Sequence, residues 1–319
     1  MKIKTLLNRL LKYNSFLIST HVNPDPDALC SELAIADFLR GQGKLVTIVN
    51  ELSVPYRFDF LPGSRRIKSV SQKFRNNHPA WIVLDCGDIN RIGRVLDFKK
   101  EDQALFNIDH HVTNTGFGEF NFVDVKASST CEIIYELLQI GGFKLNRNTA
   151  TNLYIGIMTD TGSFRYANTS ARTHEIIADL MQYRLPIAQI YSDIYESLPL
   201  KDMMNVMKVF KKLRFVCQNR IISILLSKKT IKAFSEDFDL RDFIFKFVRS
   251  IKDVEGVVIF TEVERNVTRI NFRSKGKLNV AKIAHQFDGG GHKNASGGVV
   301  RASMKKAQEK VLRVVSQYL

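Results

Sequence analysis

At 319 residues and 45% hydrophobic content, the chain is long enough for two ordinary domains, each with its own core. No stretch approaches the roughly 20 consecutive apolar residues of a membrane span, and the N-terminal residues 1–9 read as a short amphipathic helix without the features of a signal peptide, so a cytoplasmic protein with no membrane partner is expected. The net charge of +15 suits a polyanionic ligand, but the basic residues are dispersed, as at Lys211-Lys212 and Lys305-Lys306, so charge alone is weak support for nucleic-acid binding.

Short apolar runs alternate with helical patterns through the first half, the signature of a parallel α/β sheet. Residues 15–20 predict a strand, 29–39 a helix ending at Gly41, and 45–49 a second strand. Residues 81–84 and 105–108 predict buried strands. Ser129 and Glu132 have the spacing of a capping box, opening a helix that Gly141-Gly142 closes. Further helices are expected near 147–158 and 171–182. Around 185–203 the alternation stops, punctuated by Pro186 and Pro199, and the connection between domains is placed there. The expected division is a first domain over 1–188, a partly helical linker over 189–204, and a smaller α/β domain over 205–319. Strand-like runs at 221–226, 257–263 and 268–272 and helical patterns at 240–251, 280–287 and 303–318 fill that second domain.

Metal-capable residues sit where these strands end. His21 follows the first strand in His21-Val22-Asn23-Pro24-Asp25-Pro26-Asp27, Asp85 ends the 81–84 strand, and Asp109-His110-His111 ends the 105–108 strand. Asp160 follows a helix, in Thr159-Asp160-Thr161-Gly162. Open α/β sheets place their sites at the carboxyl ends of the strands, and only that edge collects all these groups. Each residue alone has a bland explanation: Asp25 or Asp27 as a helix cap, Asp85 or Asp88 as a turn residue. Gathered together, the carboxylates would repel one another unless cations neutralised them. Two imidazoles and four carboxylates suit two divalent ions with one bridging aspartate, with Mn²⁺ preferred and Mg²⁺ as the alternative. The four cysteines, Cys30, Cys86, Cys131 and Cys217, lack ligand spacing and read as packing residues.

At these positions the chain resembles the DHH phosphoesterases, named for the triplet present here as Asp109-His110-His111. All four expected motifs occur in order: residues 21–27, Asp85, residues 109–111 and Asp160. Residues 289–298, reading Gly-Gly-Gly-His-Lys-Asn-Ala-Ser-Gly-Gly, resemble the signature of the domain that follows the catalytic one, and Asn271-Phe272-Arg273-Ser274 resembles its substrate-binding strand. Length and layout resemble the subgroup of nano-RNases and pAp phosphatases. The resemblance implies that His21 and Asp25 hold one metal, that Asp27, His110 and Asp160 hold the other, and that Asp85 bridges them. It further implies that Asp109 orients a ligand histidine and that His111 faces the phosphate and assists the leaving group. Arg273, Ser274, Gly290, Gly291, His292 and Asn294 would bind substrate from the second domain. Arg91 of the first domain reads equally as a substrate-phosphate contact or as a partner in a surface salt bridge. Asp288 departs from the pattern, standing where the first of four glycines often lies.

The expected substrates are short RNA or DNA oligonucleotides and small nucleotides, with 3′-phosphoadenosine 5′-phosphate (pAp) among them. Two rivals share these residues: a soluble phosphodiesterase for cyclic or linear dinucleotide signals, and a binding module without catalysis. Phe164, Tyr166 and Phe272 lie beside the motifs as candidates to stack on a base. The helices of the first domain are candidates for a homodimer interface.

Overall fold

The computed structural model describes residues 1–71, 74–235 and 238–319, and the chain forms two compact units, Met1–Ser197 and Leu198–Leu319. Among the described residues, no helix is long and apolar enough to cross a membrane.

The first unit is built on six strands: β1 (Ser15–Ser19), β2 (Leu45–Asn50), β3 (Ile67–Ser69), β4 (Ala80–Leu84), β5 (Ala104–Asp109) and β6 (Phe120–Val123). They pair in parallel in the order β3-β2-β1-β4-β5-β6. Both faces are covered, which is why these strands read as continuous apolar runs. Phe16, Ile18, Ile82, Leu84, Phe106 and Ile108 point into the larger core, while Leu17, Trp81, Val83 and Leu105 point into a second one beneath the segment Ile89–Phe98. The larger core is closed by α1 (Ile3–Leu10), α2 (Pro26–Gly41), α3 (Thr130–Ile140), α4 (Arg147–Asp160), α5 (Ala171–Met181) and α6 (Ile187–Tyr195). The chain leaves β1 toward β2 and β3 on one side, whereas β4 leads to β5 and β6 on the other. A crevice opens at such a reversal of strand order, at the carboxyl ends of β1 and β4.

The second unit begins with α7 (Leu200–Phe210), so residues 189–204 hold most of α6 and the first half of α7. It continues through β7 (Arg214–Val216), β8 (Ile221–Leu226), α8 (Lys228–Lys232), α9 (Leu240–Arg249), β9 (Gly256–Glu264), β10 (Val267–Ser274), α10 (Val280–His285), β11 (Gly290–His292), β12 (Ala295–Val300) and α11 (Met304–Val315). Its sheet runs β11-β12-β10-β9-β8-β7 and is antiparallel except between β8 and β9. One face packs on α10 and α11, the other on α7 and α9. Cys30, Cys86 and Cys131 are buried, and all four cysteines are free.

The structure differs from the sequence reading in detail. Ser129 caps α3 by accepting from the Glu132 amide, but the Glu132 carboxylate does not return to the Ser129 amide. It accepts instead from Ser128 and from Thr173 of α5, so only half of a capping box forms. Phe272 is 1% exposed inside the second unit's core and cannot stack on a base.

Candidate active site

His21 emerges at the C-terminal end of β1, in level register with β4. Its Nδ1 lies 2.8 Å from the Val22 carbonyl and donates to it, which leaves Nε2 unprotonated and aimed at Asp85, 3.8 Å away. Burial holds this imidazole below its ordinary pKa, so it is neutral and able to act as a ligand. The next turn presents two aspartates with different duties. Asp25 caps α2, accepting from the Ala28 amide at 3.1 Å, so its bland role is real and leaves the second carboxylate oxygen free of that duty. Asp27 lies inside the first turn of α2 and is 1% exposed. Its two oxygens accept from the Thr130 and Cys131 amides at 2.7 and 3.0 Å, at the N-terminus of α3, where partial positive charge favours an anion.

Asp85 directly follows β4 in a left-handed conformation, φ +52°, which few non-glycine residues adopt and which turns its carboxylate into the crevice. Oδ2 faces His21 Nε2, and Oδ1 faces His110 Nε2 at 3.5 Å while accepting from Thr130 Oγ1 at 2.8 Å. His110 Nε2 is also 3.5 Å from Asp160 at the last residue of α4. One donor atom from each of His21, Asp25 and Asp85 lies within 4.8 Å of the others, and the same holds for Asp27, His110 and Asp160 and for Asp85, His110 and His111. Nitrogen–oxygen separations of 3.5–3.8 Å are too long for good hydrogen bonds. Ligands bound to one divalent ion at about 2.0–2.2 Å stand roughly 3–3.5 Å from their neighbours, close to what is found here.

The electrostatics agree with a cation site. Burial, followed by repulsion from Asp160 and Asp25, pushes the Asp27 carboxyl up to about 8. Asp160 keeps 30% exposure, yet burial and its neighbours Asp25 and Asp85 raise it to about 8 as well. Asp85 is raised well above the carboxylate range, first by burial and then by Asp27 and Asp25. Without cations the raised carboxyls favour their protonated forms; a divalent metal held by these residues would supply the missing positive charge.

Asp109 is fully buried at the end of β5 and belongs to a different network. Its Oδ1 accepts from the His110 amide at 2.8 Å and from His111 Nδ1 at 2.7 Å, and its Oδ2 accepts from Asn114 Nδ2 at 2.6 Å. The ring it orients is therefore that of His111, not of His110. Burial alone would raise Asp109, but the bonds from His111 and Asn114 hold it below its ordinary value. The same bond, opposing burial, raises His111 to about 9. Thr130, Asn114 and Gly156 also build this site and carried no sequence signal, since their partners lie far away in the chain. Gly156 of α4 is needed because a Cβ there would stand 2.2 Å from Cys131 Sγ and 2.8 Å from Asp27 Oδ1. Arg91 is exposed, close enough to lower the pKa of His21, and its carbonyl accepts from the Val22 amide at 2.6 Å. The salt bridge of this segment is made by Arg94, to Glu51 at 2.7 Å.

In the second unit the glycine motif is a hairpin, β11 against β12, with Lys293-Asn294 at its tip. Most of its glycines serve packing. A Cβ at Gly289 would stand 2.1 Å from the Gly297 carbonyl, and one at Gly291, φ +135°, would stand 2.6 Å from that of Ala295. Gly290 has open space where a side chain would be, so its backbone can be approached by a ligand. Asp288 adopts φ +50°, a conformation glycine takes freely and aspartate tolerates better than most residues, which explains how it stands there. Arg273 and His292 flank Ala295 on one sheet face. Ser274 does not share that face: it is 3% exposed and donates to the Leu278 carbonyl at 2.7 Å, a structural role that corrects its place among substrate contacts. Asn294 is exposed at the tip, its carbonyl accepting from the Ser274 amide.

A parallel α/β unit with an aspartate–histidine cluster at its strand-order reversal, followed by a hairpin-bearing mixed sheet, has known counterparts. The DHH family, N-terminal domain, matches residues 15–157, and the DHHA1 domain matches residues 226–319. The chain belongs to the DHH family of phosphoesterases, which are metal-dependent hydrolases. Its relatives include the bifunctional oligoribonuclease and PAP phosphatase NrnA of Thermus thermophilus, 30% identical over 306 residues, 95% of this chain and 89% of that one. The protein of the same name from Bacillus subtilis is 28% identical over 93% of each chain. Among solved structures, an exopolyphosphatase-related protein from Bacteroides fragilis is 26% identical with a TM-score of 0.88, covering 99% of this chain and 96% of that one.

Proposed function

We propose that the protein hydrolyses very short oligoribonucleotides exonucleolytically and dephosphorylates pAp, using two divalent cations, Mn²⁺ in preference to Mg²⁺. The carrying observation is that the two oxygens of Asp85 face two different imidazoles, His21 and His110, each within its own group of carboxylates. His21, Asp25 and Asp85 would hold one cation, and Asp27, His110, Asp160 and the same Asp85 the other. Bound there, the pair supplies a water of lowered pKa and positive charge against the phosphoryl oxygens.

The chain's own residues do the rest. The neutral rings of His21 and His110 present lone pairs, and α3 and Thr130 hold Asp27 and Asp85 in place. His111, fixed by Asp109 and protonated at neutral pH, donates its proton to the leaving oxygen as the P–O bond breaks. Arg273, His292 and the Gly290 backbone bind phosphate from the second unit. The activities for which the relatives are named favour oligoribonucleotides and pAp over dinucleotide signals.

With Mn²⁺, the purified protein should release mononucleotides from dinucleotides to tetranucleotides and phosphate from pAp. Asp85→Asn should abolish both while leaving the circular dichroism unchanged. Retained turnover in that variant, or a cyclic dinucleotide cleaved orders of magnitude faster than either substrate, would refute the reading.

A further inference from the structure

The face of the second sheet that α7 and α9 cover on β8 and β9 continues across β10, β12 and β11, where Arg269, Val299, Gly290 and His292 are exposed. Strand register arranges it in rungs. Arg273, Ala295 and His292 form the first, and Asn271, Gly297 and Gly290 the second. Arg269 with Val299 forms the third. Alternate residues along a strand are about 6.8 Å apart, so Arg269 lies roughly 14 Å from Arg273 on the same side. The second rung has a bare floor: both glycines lack side chains, and a Cβ at Gly297 would already touch the Asn271 amide at 3.6 Å. The Asn271 amide nitrogen faces this floor, while its Oδ1 is shielded from solvent. Arg269 is exposed and, among the described residues, makes neither an ion pair nor a hydrogen bond.

We propose that Arg269 binds a distal backbone phosphate of a single-stranded oligoribonucleotide whose first phosphate lies between Arg273 and His292, with the Asn271 amide donating to a ribose 2′-hydroxyl oxygen between them. The proposal rests on the reading of Arg273 and His292 as substrate ligands. Arg269 is then a residue that selects for substrate length. The two phosphates of pAp share one ribose and end short of the third rung, whereas a trinucleotide or tetranucleotide reaches it. Asn271, by donating to the 2′-hydroxyl oxygen, favours RNA over DNA.

Steady-state kinetics on pAp and on RNA and DNA tetranucleotides test this in the full chain with Mn²⁺. Arg269→Gln should raise the ratio of the RNA tetranucleotide KM to the pAp KM about tenfold, the scale of one charge-assisted contact. It should also reduce the slope of log KM against log salt for the tetranucleotide by about 0.7, one phosphate contact on a single strand. Asn271→Ala should narrow the preference for RNA over DNA. Equal changes for pAp and tetranucleotide, or no change in either, would overturn the role of Arg269. An unchanged RNA-to-DNA preference would overturn that of Asn271. Arg273→Gln separates the layers, since it should raise KM for both substrates alike. If it alters neither, the reading beneath the proposal has failed and the proposal falls with it.

Discussion

His111 stands 2.7 Å from Asp109 and 3.7 Å from Asp85, and the nearer carboxylate sets its charge. The sign of its pH dependence follows directly. The hydrogen bond to Asp109 raises the folded pKa of His111 to about 9, against an ordinary 6.5. The proton, and the stability it lends, is fully present below 6.5 and lost as pH rises through 9. A proton donor of this kind sustains kcat up to its own pKa in the metal-loaded enzyme, which neighbouring cations set lower than in metal-free protein. Asp109→Asn keeps the shape, removes the charge and leaves burial to lower the ring's pKa. The alkaline fall in kcat should therefore move toward neutral pH in that variant; superimposable pH profiles would remove His111 from the proton-donor role. Adjacent His110 and His111 look equivalent in sequence. Which ring meets Asp109 depends on the turn after β5, and no spacing encodes that.

At the scale of elements, the strands that carry the site were legible because they are five or six residues long and buried on both faces. β1, β4 and β5 appear where apolar runs predicted them, with His21 two residues past β1, Asp85 directly after β4 and Asp109 the last residue of β5. β3, β6, β7 and β11 were not legible, for three or four residues carry too little periodicity to stand out. β12 was hidden too, its glycines reading as a loop. Gly156 shows a second kind of blindness, since glycine inside a helix reads as a weakness of about 1 kcal/mol relative to alanine. Here α4 must pass close to α3 and to Asp27. Gly156→Ala should lower the thermal midpoint despite the better helix propensity, because overpacking costs about 1–3 kcal/mol. It should also weaken Mn²⁺ binding by displacing Asp27. A raised midpoint with unchanged Mn²⁺ affinity would show that the glycine serves no packing purpose.

Across the whole molecule, the buried carboxylates make stability depend on metal and pH together. The folded carboxyls of Asp27 and Asp160 sit at about 8, against 3.8 ordinarily. In metal-free protein their contribution is fully present below the unfolded value and lost as pH rises through 8. With EDTA, the thermal midpoint should fall between pH 6 and 8.5; with Mn²⁺, which binds the deprotonated form, the fall should disappear. The same midpoint trend in EDTA and in Mn²⁺ would mean that the cluster does not couple protons to a cation. The central claim is a pair of divalent ions joined through Asp85, and counting bound Mn²⁺ by isothermal titration tests it most directly. Two ions per chain are predicted, falling to one or none in Asp85→Asn. A single ion in the unaltered protein, or two retained by the variant, would contradict it.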